Sequence, residues 1–124
     1  MSFALEFPDS EVRDVVADGG ALRVRFSAAA VRRADGDRGW LTSATLTLAE
    51  ATLPGDAPHA FGKITEGRLR RDGVPVAALP LPAVLAGELE LSLRFANGTS
   101  LSIRAKALAL AVAPDAVFTE DLSC

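Results

Sequence analysis

The chain has no tyrosine, and only one tryptophan, one histidine, one cysteine and one methionine in 124 residues. Each scarcity excludes something. The single thiol, Cys124, is the last residue, so no internal disulfide can form; it is an incidental tail thiol or a link to another molecule. The single histidine, His59, has no His/Cys cluster around it, and zinc sites are built from such clusters. No metal or other cofactor is expected. No apolar run approaches the ~20 residues of a membrane helix. The opening MSFALEFPDSEV lacks the basic start and apolar core of a secretory leader. A cytoplasmic protein that does not engage a membrane is therefore expected.

Charge of one sign is missing too. The net charge is −3, and acids and bases are interspersed instead of gathered on a basic stretch. Nucleic acid is therefore not an expected partner. Lysine is scarce, with only Lys63 and Lys106, while arginine, alanine and glycine abound. That bias is typical of a GC-rich bacterial genome and carries no functional meaning. Hydrophobic residues make up 49% of the chain, which excludes wholesale disorder. One domain over 1–124 is expected, burying roughly two-thirds of its unfolded surface. Much of the apolar fraction is alanine, so a thin core is expected.

The clearest pattern runs from Gly87 to Val112, GELELSLRFANGTSLSIRAKALALAV. Leu89, Leu91, Leu93 and Phe95 alternate with Glu88, Glu90, Ser92 and Arg94, and Leu101 and Ile103 alternate with Ser100, Ser102 and Arg104. A period of two gives each strand one buried and one wet face. A two-residue turn at Asn97-Gly98 would set Phe95 against Ser100, apolar against polar. A three-residue loop, Ala96-Asn97-Gly98, sets Leu93 against Leu101 and Leu91 against Ile103, so this register is expected, with Gly98 left-handed. Beyond Ile103 the apolar phase moves to Leu108, Leu110 and Val112, which calls for a bulge near Lys106-Ala107.

The rest of the chain reads the same way. Short strands are expected at Phe3–Phe7, Val12–Ala17 and Leu22–Phe26, with Asp18-Gly19-Gly20 as a turn. That turn allows two registers, Val15 with Val24 or Val16 with Leu22. Ser27–Ala34 fits either a strand or a helical turn. Trp40–Leu53 reads as one strand with Leu46 and Leu48 inward and Thr45 and Thr47 outward. A strand starts at Phe61–Glu66, and Asp72-Gly73 turns a hairpin that pairs Leu69 with Val76. Pro75 places the second arm at an edge or bulge. Leu79–Ala86 breaks the alternation, with Pro82 placed to start a short helical turn, and its leucines either plug the fold or form a patch covered by a second subunit. Val117-Phe118 adds a last strand. The expected class is all-β: an antiparallel sandwich or flattened barrel of about eight to nine strands with at most one helical turn.

Candidate chemistry is sparse. His59 can be paired on paper with Asp56 or Glu66, but no serine sits in a G-x-S-x-G elbow. Glu88 and Glu90 share a strand face as glycosidase carboxylates could, yet that face is the wet one, with Arg104 at hand. Asp35-x-Asp37 lacks the spacing and terminal glutamate of a calcium loop. Arg68, Arg70 and Arg71 are the densest basic group, able to grip a carboxylate or phosphate or to blunt an edge strand. Trp40, after a polar loop, is a partner anchor or a core-rim residue.

The opening FPDSEVRDVVADGGALRVRF resembles the start of small bacterial β-rich domains of unassigned role, some of them immunity-protein-like. The resemblance implies a small β fold and a protein partner, and transfers no functional residue. The expected function is a non-enzymatic binding or protein-interaction module that forms a homodimer or meets another protein. Two alternatives stand beside it: a β-barrel holding a small apolar ligand, and an enzyme using His59.

Overall fold

A computed structural model describes residues 3–52, 55 and 57–120. Cys124 and Asp56, two residues singled out above, lie outside them. Among the described residues the strands are β1 (Phe3–Leu5), β2 (Glu11–Asp18), β3 (Ala21–Arg33), β4 (Arg38–Leu41) and β5 (Ala44–Ala49). After a 3-10 turn at Ala57–His59 come β6 (Gly62–Arg71), β7 (Val74–Pro75), β8 (Leu79–Leu81), β9 (Ala83–Phe95), β10 (Ser100–Val112) and β11 (Phe118–Glu120). The fold is all-β, and its strand pairings are antiparallel. The strands beyond the expected eight or nine are β8, three residues long, and the one gained where the strand expected from Trp40 divides into β4 and β5.

Six strands close on themselves. β2 pairs with β3 and β6, β6 with β9, β9 with β10, β10 with β5, and β5 again with β3. Periodicity left sandwich and barrel undivided; this circuit of pairings is barrel-like. The long strand β3 serves twice. Its first half, Ala21–Phe26, lies in the ring, while Ala29–Arg33 carries a second sheet in the order β8-β1-β3-β4-β11. An extra residue at Ser27 in the β2–β3 ladder divides the halves and moves the inward side from Leu22, Val24 and Phe26 to Ala29 and Val31. Of Ser27–Ala34, whose alanines favour helix, the residues up to Arg33 are thus held extended in β3 by pairing with β2, β4 and β1, because pairing and burial outweigh a small local preference.

One hydrophobic cluster fills the ring and reaches under the second sheet. Leu22, Leu46, Leu48, Ile64, Leu89, Leu91, Leu93, Phe95, Ile103, Leu108 and Leu110 are fully buried. The core is therefore leucine-rich and not thin; many alanines, including Ala86, Ala109 and Ala111, lie on the outside. Leu79 and Leu81 are buried as a plug, whereas Val84 is 82% exposed.

Local turns follow the residue pattern. The β9–β10 loop is Ala96-Asn97-Gly98, with Leu93 opposite Leu101, Leu91 opposite Ile103, and the bulge between Ala105 and Ala107. Gly98 has φ +91°. Asp72-Gly73 closes the β6–β7 turn, and the Val76 N–H donates to the Leu69 carbonyl at 2.8 Å. The β2–β3 turn takes the two-residue form, with Val15 opposite Val24 and positive φ at both Gly19 and Gly20. Two expectations are corrected. The single strand expected over Trp40–Leu53, whose last residue lies outside the described residues, is two strands, β4 and β5, separated at Thr42-Ser43 with Ser43 at φ +58°. Leu79–Ala86 holds no helical turn: β8 passes through a cis Leu81–Pro82 bond straight into β9.

The weakest seam of the ring is β2–β6, where only Glu11–Lys63 and Val12–Gly62 pair. Backbone bonds between Asp9 and Ile64 and between Ile64 and Ser10 extend it. Further along, the Phe7 ring seats on Gly67, where a Cβ would meet the Phe7 Cβ at 2.4 Å. Ser10 anchors this corner. Its hydroxyl, fully buried, donates to the Glu6 carbonyl at 2.7 Å and accepts from the Ala30 N–H at 2.8 Å. Ser10→Ala leaves that amide unpaired in the core and is expected to cost about 1–3 kcal/mol in urea unfolding. Ser27→Ala, whose hydroxyl makes one long exposed contact, is expected to stay within about 0.5 kcal/mol.

Candidate functional site: two outer faces of one hairpin

The residues singled out from sequence do not converge. Arg68 and Arg70 stand on the outer face of β6, exposed, with Arg68 3.0 Å from Glu66. Arg71 turns away: its Nε donates to the Ala86 carbonyl at 2.9 Å and caps the free edge of β9 beyond the end of β6. Asp72 caps the same edge, its carboxylate accepting from the Glu88 N–H at 2.9 Å. For Arg71, the edge-blunting reading is the one with a contact behind it. Trp40 lies on β4, half-buried, across from Ala30 and Thr119 and beside a shallow groove that also meets Asp9 and Lys63. His59 is the exposed end of the 3-10 turn, whose Ala57 is buried; its carbonyl accepts from Asn97 Nδ2 at 3.0 Å, tying the turn to the β9–β10 loop. Glu66, one of its paper partners, is engaged with Arg68 instead.

The pairing of β6, β9, β10 and β5 assembles what sequence could not. On the half nearest the Asn97 turn, rows run Glu66–Arg94–Ser100, Arg68–Ser92–Ser102 and Arg70–Glu90–Arg104. Odd-numbered β9 residues point in there, so polar even-numbered ones point out. A groove of about 380 Å³ lies over the first two rows. Arg94, Ser92 and Ser102 were not among the expected site residues. Ser92–Ser102 was readable from the hairpin register, but nothing local showed that β6 would lie on the other side of Ser92.

Past the bulge the outer face changes character. Its rows run Val84–Ala109–Thr47 and Ala86–Ala107–Ala49, with Ala111 beside Thr45. None of these residues is charged. Ion pairs stand around the patch: Lys106 with Glu88, Arg23 with Asp18 at 3.0 Å, and Arg25 with Asp14. Arg25 grips Asp14 with two donors, Nε at 2.6 Å and a terminal nitrogen.

The Arg25 hydrogen bonds hold the Asp14 carboxyl below its ordinary value and raise the Arg25 guanidinium in turn. A depressed carboxyl stabilises the fold above its unfolded pKa, and that contribution is lost as pH falls through the folded pKa. The pair is partly exposed, so the effect is small. Between pH 5 and pH 3, the urea midpoint of Asp14→Asn is expected to fall less steeply than that of the natural chain.

Among the described residues no group of three His, Cys, Asp or Glu side chains is placed to hold a metal, and no helix is long and apolar enough to cross a membrane. Comparison with family models, with curated proteins and with solved structures found no match to this chain.

Proposed function

We propose that this protein is a non-catalytic interaction module that self-associates through the uncharged face of β9, β10 and β5. The observation that carries the reading is the composition of that face. A twofold contact sets a patch against its own copy, so any net charge on it would meet the same charge across the axis. Val84, Ala86, Ala109 and Ala111 with Thr45 and Thr47 avoid this, and the paired charges around them form a neutral polar rim. The alanines keep the surface flat, which lets two sheets approach to about 10 Å. Val84, 82% exposed, is the side chain that gains most from being covered.

The enzyme reading gains nothing from the surroundings of His59, which is exposed at the end of a turn. The apolar-ligand reading needs room inside the ring, and leucine, isoleucine and phenylalanine side chains occupy that interior.

Native mass spectrometry at micromolar concentration is expected to give twice the 12.9 kDa chain mass. Val84→Arg and Ala109→Glu are each expected to yield monomer, while Arg68→Ser leaves the dimer intact. A natural chain that stays monomeric, or variants that stay dimeric, would contradict the assignment.

A further inference from the structure

The polar half of the same hairpin carries a different site. The geometry points to an oxyanion subsite over β6, β9 and β10 that takes a small molecule bearing a phosphate or carboxylate group. Its floor is Ser92 beside Ser102, with Ser100 next along β10; Arg68 stands across from Ser92, and Arg94 lies two residues along β9. Neighbouring strands are about 4.8 Å apart and alternate residues about 7 Å apart. The two arginine side chains therefore start about 8 Å apart on a diagonal and can close on one ligand between them.

The chemistry is rich in donors. The serine hydroxyls that bond to protein are those of Ser10 and Ser27, so Ser92, Ser100 and Ser102 keep theirs free among the described residues. The ion pairs flanking this stretch are Arg68–Glu66 and Lys106–Glu88, which leaves the Arg94 guanidinium without an acidic partner among the described residues. Glu66 is the one carboxylate lining the groove, and it is already committed to Arg68 at 3.0 Å. Arg68 lines the same groove and stays largely exposed. Three free hydroxyls and two guanidinium groups around a groove of about 380 Å³ match the several acceptor oxygens of a phosphate or carboxylate. The surrounding field agrees: Arg68, Arg70, Arg94 and Arg104 outnumber Glu66 and Glu90 on this face, in a chain of net charge −3. An anion is thus drawn to this face of an otherwise acidic protein.

The test is a titration of the ¹⁵N-labelled full chain with inorganic phosphate, and separately with citrate, at fixed ionic strength held with chloride. Saturable amide shifts are expected in Glu66–Arg70, Glu90–Arg94 and Ser100–Arg104, with a midpoint on the order of millimolar for so small a ligand. Arg94→Gln and Ser92→Ala sit on the exposed sheet face, and their own spectra report whether the fold is kept. The arginine change is expected to weaken binding about ten- to a hundredfold, the loss of one charge-assisted hydrogen bond. Arg13→Gln, on β2, is expected to change nothing. Saturation by phosphate alone assigns a phosphate ligand, and saturation by citrate extends the class to carboxylates. The subsite is overturned if neither anion saturates, if the shifts spread evenly over all arginines, or if Arg94→Gln binds as the natural chain does.

Discussion

Strand β5 bonds to β3 on one side and to β10 on the other, and this double pairing turns a row of strands into a ring. Much else in the molecule follows from it. A closed ladder gives most ring strands a partner on both edges, so few backbone groups are left to template aggregation. It also defines an inside that only one side-chain parity per strand can reach. Leu46 and Leu48 on β5 meet Leu22 and Val24 on β3 and Leu108 and Leu110 on β10, and each row continues its neighbour's apolar side. The remaining gap, at β2–β6, is filled by the Phe7 ring on Gly67 and by the buried Ser10 hydroxyl, which satisfies two backbone groups where the chain leaves the second sheet for the ring.

A bulge, where Gly87 and Glu88 of β9 lie opposite the single residue Lys106 of β10, gives the β9–β10 hairpin its two characters. Without the extra residue, inward leucines on one half would force inward alanines on the other. With it, leucine stays inside along the whole length, and the outward set changes from serine, arginine and glutamate to alanine and valine. A feature needed for packing thus produces two chemically distinct outer surfaces on one pair of strands. The proposed self-association uses the uncharged half and the proposed oxyanion subsite uses the other, so neither has to displace the other.

Electrostatics plays a smaller part in holding the fold. The ion pairs between Arg23 and Asp18, Arg38 and Glu6, and Lys63 and Asp9 are largely exposed, and such pairs contribute at most about 1 kcal/mol each. Their more useful effect is to neutralise charge at chosen places. Among the described residues Arg94 is left without an acidic partner on one face, while the Arg23–Asp18, Arg25–Asp14 and Lys106–Glu88 pairs surround the Val84 face with balanced charge.

Sequence alone determined what lies between neighbours in the chain. The three-residue Ala96-Asn97-Gly98 loop, the bulge near Lys106, the Asp72-Gly73 turn and the inward Leu46 and Leu48 were all legible, because turn residues and a period of two act over a few residues. The β2–β3 register was not, since valines at both Val15 and Val16 fit either alignment. Tertiary structure alone decided that β5 closes on β3, that Ala29–Arg33 stays extended against β1 and β4, and that β6 lies against β9. It therefore also decided that Arg68 lies across from Ser92 and diagonal to Arg94 while Arg71 turns to the β9 edge. The physical reason is that strands distant in sequence carry no local code for each other. Their pairing is selected by which closed arrangement buries every leucine face at once.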